Sequence, residues 1–477
     1  MKKYNNYLVV DLDQSLLKID LFKEILARSL INNPRVFFKT VLLAIYNKAK
    51  AKTFIAKNTK IKWETLPYNN RVINIITNYK AKGYHILLAT GAPKVYAQPI
   101  AEHLGLFDDI IATDENKNNV GVEKLEAIKN IIGDDFIYLA DAKKDLPIWL
   151  HCKKAILVGK KNGVLIKKLI NNGVKMVDEI YMQKSFITII AKQLRIHQWV
   201  KNILVFVPAL AGHLLFENGI FIATLTAFCS FCLIASSFYI INDIHDINSD
   251  RIHPKNKARP IASGKISVSL ALFISLIIFI IGAILALRLG LLFSITILIY
   301  CILNIIYTYY VKQIIILDLI ILMMFYIIRL LAGYVVIQSP LSIWLLSFSV
   351  FLFFSLGLLK RYVEIILLRE NNVETVSGRG YSIDDNNILM SIGVCSGLVA
   401  SLVLLLYIGS DNIAVLYNRP IILISLVPIY MYWLSWTWFM AIRKKIKLDP
   451  VTFTIKNKST YFLLLCCLII LILAGIN

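Results

Sequence analysis

Ser237-Phe-Tyr-Ile-Ile-Asn242-Asp243-Ile-His-Asp246-Ile-Asn-Ser-Asp250-Arg251 ends an uncharged apolar run that starts near residue 219. A run of roughly 20 such residues is what crosses a hydrocarbon core of about 30 Å. Beyond it the acids recur at i, i+3 and i+7, so on a helix leaving the bilayer Asp243, Asp246 and Asp250 share one face. Like charges that close repel unless a cation joins them. Oxygen-only ligands suit Mg²⁺, which binds through a few carboxylates and a substrate's phosphates. Asn242 adds a neutral ligand or donor.

Working outward, the same apolar rhythm recurs to the end of the chain. Of the 477 residues 57% are hydrophobic, and the mean hydropathy is +0.66, well above that of a soluble domain of average usage. The spacing predicts about nine membrane helices, the first at 203–216 with Pro208 inside it and the last at 459–476. The net charge of +22 would suggest nucleic acid in a soluble protein, but the lysines and arginines sit in alternate loops. The stretch 251–265 holds Arg251, Lys255, Lys257, Arg259 and Lys265, 360–379 holds Lys360, Arg361, Arg369 and Arg379, and 443–458 holds Arg443, Lys444, Lys445, Lys447, Lys456 and Lys458, whereas the loops between are nearly bare. That alternation is the positive-inside rule, so the charge orients the protein and meets anionic lipid, and no nucleic-acid partner is expected. It places residues 1–200 in the cytoplasm and the C-terminus outside, in a bacterial inner membrane. The start, MKKYNNYLVVDLDQS, lacks the apolar stretch of a signal peptide. Cysteines Cys229, Cys232, Cys301, Cys395, Cys466 and Cys467 lie in apolar runs, where they act as small hydrophobes, and no disulfide framework is expected.

Residues 1–160 read differently. Short apolar strands (YLVVDLD, YHILLAT, FIYLAD, KAILVG) alternate with polar stretches, the pattern of a parallel α/β sheet. Between the first two strands lies an insertion, roughly 18–78, too long for a simple crossover and suited to a small helical cap. Asp11 and Asp13 stand at i and i+2 at the carboxyl end of the first strand, where open α/β sheets bind ligands. Another strand ends in Thr90-Gly91, Lys124 falls in a helix, and a later strand ends in Asp141 with Asp145 four residues on. Residues 161–194 form a basic connector, and 195–477 the membrane domain.

This order resembles the haloacid dehalogenase superfamily: DxDxS at 11–15, Thr90 at a strand end, Lys124, and DxxxD at 141–145. The resemblance implies Asp11 as a nucleophile forming an aspartyl phosphate and Asp13 as general acid and base. It implies Thr90 and Lys124 as phosphate holders, and Asp141 and Asp145 as partners of Asp11 and Asp13 around Mg²⁺. The chemistry is coherent, because a carboxylate attacks phosphorus only when Lys and Mg²⁺ offset the charge on both. Ala140 departs from the glycine that family members usually carry before the acid.

The membrane half, with NDxxDxxxD followed by the basic loop His253 to Gly264 containing Arg259-Pro260, resembles the UbiA superfamily of intramembrane prenyltransferases. Its branch of polyprenyl-phosphate phosphoribosyltransferases, typified by decaprenyl-phosphate phosphoribosyltransferase, is closer. Arg195 to Asn202, Tyr307 to Asp318, Arg329-Leu-Leu-Ala-Gly333, Leu359-Lys360-Arg361, Gly380-Tyr381-Ser382 and Asp449-Pro450-Val451 carry that likeness. Aromatic-prenylating members carry a second acid pair where this chain has the single Asp318 beside Lys312. The resemblance implies Mg²⁺ on Asp243, Asp246 and Asp250. It implies phosphate contacts from Lys201, Lys257, Arg259 and Lys312, and orientation of donor or acceptor by Tyr307 and Asp318. The implied reaction moves a 5-phosphoribosyl group from phosphoribosyl diphosphate to a polyprenyl phosphate; the fusion of both domains in one chain adds the expectation that the N-terminal domain removes a phosphate from the product. A quinone-type transferase using a prenyl diphosphate is the first rival. A transporter or scaffold is the second, disfavoured because the acids cluster at one membrane face.

Overall fold

The computed structural model describes residues 6–114, 118–141, 143–159, 163–181, 185–253, 255–370, 380–446, 453–454 and 457–475. Arg379 and the stretch Asp449-Pro450-Val451 lie outside the described residues. Two compact units divide the chain: residues 1–194 with 239–276, and 195–238 with 277–477.

In the first unit, β1 (Tyr7–Val10), β2 (His85–Pro93), β3 (Asp109–Thr113), β4 (Phe136–Ala140), β5 (Lys154–Gly159) and β6 (Lys175–Tyr181) form one sheet in the order β3-β2-β1-β4-β5-β6. All neighbours are parallel. Tyr7, Leu8, Val9 and Val10 are all buried, as expected of a central parallel strand covered by helices on both faces, where an alternating pattern would leave one face bare. The expected insertion holds α1 (Leu21–Asn32), α2 (Pro34–Tyr46), α3 (Lys48–Lys57) and α4 (Asn70–Ala81). Local capping explains the breaks between its first three helices. Asp20 accepts from Lys23 N at 3.0 Å, Asn33 from Val36 N at 3.4 Å and Asn47 from Lys50 N at 3.0 Å, each satisfying an amide that the helix start leaves unpaired. An antiparallel bridge between Leu17 and Tyr68 closes its base. Helices α5 (Lys94–Leu104), α6 (Val122–Ile132), α7 (Leu146–Trp149), α8 (Gly163–Asn171) and α9 (Phe186–Gln193) complete the wrapping of the sheet and lead out of it.

In the second unit a short α10 (Val207–Ala211) precedes α11 (Ile220–His245), which runs back into the first unit and is followed there by α12 (Ile247–Ile252). After the basic loop come α13 (Val268–Arg288), α14 (Leu291–Ile306), α15 (Leu317–Ile337), α16 (Ile343–Glu370), α17 (Asn386–Ile408), α18 (Asp411–Leu416), α19 (Leu426–Ile442) and α20 (Lys458–Gly475). Among the described residues eight helical spans are long and apolar enough to cross a membrane. The expected first helix at 203–216 is not one of them. Ile196–Phe206 is a 3₁₀ helix of 11 residues, joined to the five-residue α10. Packing accounts for the irregular form. The Val205 carbonyl and Pro208 press on α15 where Gly333 has no side chain, and Asn202 is held by Arg329.

Candidate functional site

Within the first unit, β1 is flanked by β2 and β4, so Asp11, Thr90 and Asp141 come from three adjacent strands at one carboxyl edge. Asp11 N donates to Leu139 O at 2.9 Å, which seats the acid beside β4. The chain then turns sharply, with Gln14 in the left-handed region at φ 58°. The turn lets Asp13 Oδ1 accept from Leu21 N at 2.8 Å. Lys124, only 2% exposed, reaches Asp11 Oδ1 at 2.6 Å and Asp145 Oδ1 at 3.5 Å. Ser15 Oγ donates to Asp11 Oδ2 at 3.4 Å, and Thr90 Oγ1 accepts from Ala92 N at 3.0 Å.

Asp11, Asp141 and Asp145 offer carboxylate oxygens within 4.8 Å of one another, the one such group of three among the described residues. Burial, reinforced by Asp11 and Asp145, pushes the Asp141 carboxyl up to about 7. Burial, with Asp20 and Asp11, does the same for Asp13. Three crowded, desolvated acids need a cation, and oxygen donors alone suit a hard divalent ion, so these residues fit Mg²⁺. Asp11, Asp13 and Asp145 line a cavity of about 340 Å³ together with Lys23, Lys48, Lys52 and Lys144. Lys52 enters from α3 and donates to Gly91 O at 2.6 Å and Asn118 Oδ1 at 3.0 Å. Sequence reasoning missed these cations. The i, i+4 spacing of Lys48 and Lys52 was visible, but only the cap's fold turns it toward Asp11.

The acids of the quoted stretch lie at the end of α11 and in α12. Asp243 and Asp250 are 3% and 4% exposed and converge on one guanidinium. Arg259 Nη1 is 3.1 Å from Asp243 Oδ1 and 2.6 Å from Asp250 Oδ2. Gln193 Nε2 donates to Asp243 Oδ2 at 3.0 Å, and Asn256 Nδ2 to Asp250 Oδ1 at 2.8 Å. Burial raises the Asp250 carboxyl despite Arg259. Asp246 sits apart: it ends one helix and begins the next, half-exposed, beside His245 Nδ1 at 2.9 Å. The expected single face therefore resolves into a pair that converges on Arg259 and a third acid that meets His245. Arg259, expected on a diphosphate, instead stands between the pair as a cation would, so Asp243 and Asp250 fit Mg²⁺ by donor type and direction. Lys257 is exposed and Asn242 half-buried on the same stretch.

In the second unit Asp318 is fully buried with both oxygens engaged. Arg361 Nε donates to Oδ2 at 2.7 Å and Tyr381 Oη to Oδ1 at 2.7 Å. Arg361 also reaches Glu364 Oε2 at 2.6 Å and Tyr307 Oη at 3.4 Å, so Tyr307 and Asp318 do come together. A second buried cation, Arg329, donates to Asn202 Oδ1 at 2.7 Å and lies 5.0 Å over the Tyr300 ring. Lys201 Nζ lies 5.9 Å from the Tyr326 ring, and Lys312 is half-buried. Arg361, Tyr381 and Arg329 carried the family likeness in sequence. Nothing there announced that their partners were Asp318 and Asn202.

Residues 205–456, more than half the chain, match the model of the UbiA prenyltransferase family. The chain belongs to that family. Residues 9–149 match the haloacid dehalogenase-like hydrolases, so this UbiA-family member is an integral multi-pass membrane protein with a haloacid dehalogenase-like N-terminal domain. Over 458 residues it is 30% identical to a Sinorhizobium fredii protein, y4nM, covering 96% of this chain and 88% of that one. It is 33% identical over 190 residues to decaprenyl-phosphate phosphoribosyltransferase of Mycolicibacterium smegmatis, covering 39% of this chain and 59% of that relative. A UbiA homolog from Archaeoglobus fulgidus bound to GPP and Mg²⁺ aligns with a TM-score of 0.45 at 14% identity, over 60% of this chain and 96% of that one.

Proposed function

We propose that the membrane domain transfers a 5-phosphoribosyl group from phosphoribosyl diphosphate to a polyprenyl phosphate. The phosphate oxygen of the lipid attacks the anomeric carbon, the bond from that carbon to the diphosphate breaks, and pyrophosphate leaves. A phosphate nucleophile is already ionised at neutral pH, so no general base is needed, and positioning with charge stabilisation suffices. Asp243 and Asp250 would hold a Mg²⁺ whose charge would offset that of the departing diphosphate, with Asp246 on the same stretch. Lys201, Lys257 and Lys312 contact phosphates, and Arg259 shifts from the acids to the diphosphate as that group arrives. Tyr307 and Asn242 orient the substrates.

The observation that carries this reading over a prenyl diphosphate donor is Asp318. It is the one Asp or Glu in residues 307–318, which supports a site without a second metal-binding acid pair. The name of the mycolicibacterial relative supports the same donor. Membranes holding the full chain are incubated with labelled phosphoribosyl diphosphate and a polyprenyl phosphate. Label is expected in the lipid fraction; label entering only from a prenyl diphosphate overturns the reading in favour of the quinone-type rival.

The N-terminal domain we assign as a phosphatase acting on the phosphoribosyl lipid. Asp11 attacks the 5-phosphate while Asp13, whose raised carboxyl can carry a proton near neutral pH, protonates the leaving oxygen; water then releases phosphate from Asp11 with Asp13 as base. Lys124 and Thr90 hold the phosphoryl oxygens. Asp11, Asp141 and Asp145 would hold a Mg²⁺, which would offset the negative charge there. The extra lysines of the cavity suit a substrate that keeps a second anionic group, as a lipid phosphodiester does. Asp11→Asn is expected to leave the phosphorylated product to accumulate, and unchanged dephosphorylation by that variant refutes the assignment.

A further inference from the structure

Helix α2 presents an apolar face that none of the described residues covers. Phe38 is 61% exposed, Leu42 59%, Ile45 73% and Tyr46 87%, and the spacing i, i+4, i+7, i+8 puts them on one side of the helix. Single exposed hydrophobes are ordinary, but a contiguous stripe of two aromatic and two aliphatic side chains marks a surface that meets something apolar. Its surroundings are one-signed. Residues 33–62 hold Arg35, Lys39 and six lysines between 48 and 62, and no Asp or Glu. Lys39 stands 5.0 Å from the Phe54 ring, and Lys48 and Lys50 are exposed just beyond the helix end.

An apolar stripe flanked only by cations, on a chain that already enters a bilayer through eight apolar helices, matches an anionic lipid surface in both polarity and charge. A protein partner of ordinary composition would meet the same cations with repulsion or with acids of its own. We propose that α2 lies in the headgroup region of the membrane, with Phe38, Leu42, Ile45 and Tyr46 inserted at the acyl boundary and the surrounding lysines on anionic headgroups. An amphipathic helix of this kind binds through buried apolar area plus charge attraction. It holds the cap, and the Lys52 that the cap places at the Asp11 cavity, against the layer where lipid-linked substrates travel. The inference stands on the exposed stripe and its charge, whatever reaction Asp11 performs.

The test uses the full chain in vesicles. Ile45→Cys is labelled with a polarity-sensitive fluorophore, the signal of the equally labelled parent being subtracted for its native cysteines, and lipids brominated near the headgroup serve as quencher. Quenching is expected at position 45, several-fold stronger in phosphatidylglycerol than in phosphatidylcholine vesicles, and weakened by Phe38→Ser with Leu42→Ser. Val164→Cys, on the exposed α8, serves as the unquenched control. Absence of quenching at position 45 overturns the proposal. So does energy transfer between differently labelled copies in its place, which would mean that a second molecule covers the stripe.

Discussion

Arg251 Nη2 stands 2.8 Å from Glu24 Oε2, and each side chain is only 3% exposed. Arg251 follows Asp250 directly and also donates to Ala262 O at 3.2 Å. Glu24 lies in the first turn of α1, the helix whose opening amide at Leu21 binds Asp13. Close by, Gly264 leaves only 3.0 Å between a would-be Cβ and Lys18 or Ile19. One helix thus binds Asp13 of the Asp11 cavity and Arg251, the chain neighbour of Asp250.

Removing one member of a buried ion pair strands the other charge, at a cost of about 3–5 kcal/mol. Glu24→Gln is expected to lower the unfolding temperature of the detergent-solubilised chain and to raise the Mg²⁺ concentration needed for half-maximal transfer, with Glu24→Asp recovering part of both. A Glu24→Gln protein with the parent's melting curve and metal requirement would remove the pair from any role in placing Asp250.

Gln193, 1% exposed, holds Asp243 from outside the cluster. Partners of ligating carboxylates commonly contribute about 10- to 100-fold in metal affinity. Gln193→Ala should shift the Mg²⁺ dependence of transfer by that factor and leave its maximum within reach at high metal, whereas Asp250→Asn should not be rescued by metal. Titrating activity against Mg²⁺ in both variants separates the two behaviours.

Asp318 and Arg361 are coupled. Arg361→Met alone leaves a buried carboxylate with only Tyr381 and is expected to destabilise by about 3–5 kcal/mol. Arg361→Met with Asp318→Leu should cost less than the sum of the single changes. Denaturation of the four proteins in one detergent completes the cycle, and strict additivity would show the pair to be independent.

Gly333 faces the Val205 carbonyl and the Pro208 ring, closer than any Cβ could stand. Gly333→Ala should push the broken segment off α15 at a cost of about 1–3 kcal/mol, the usual range for overpacking. Its melting temperature should fall, and increased proteolysis between 195 and 216 would locate the damage there.

Much of this protein is legible in its sequence because the bilayer and the sheet impose simple periods. Apolar runs of helical span length, basic residues in alternate loops and short buried strands ending in acids follow from local composition, and they mark both the architecture and the acids Asp11, Asp141, Asp145, Asp243 and Asp250. What local pattern cannot carry is which charge meets which. Arg259 lies beside the acid pair rather than free, Asp246 leaves that pair where the helix breaks, and Asp318 is neutralised by Arg361 and Tyr381. Lys52 reaches the Asp11 cavity only through the cap, and the segment at 196–206 tightens into a 3₁₀ helix whose Val205 carbonyl meets Gly333. These are pairings between residues from 9 to 128 positions apart. Only tertiary structure decides them, because a buried charge takes the nearest opposite charge in space, and sequence separation does not measure that distance.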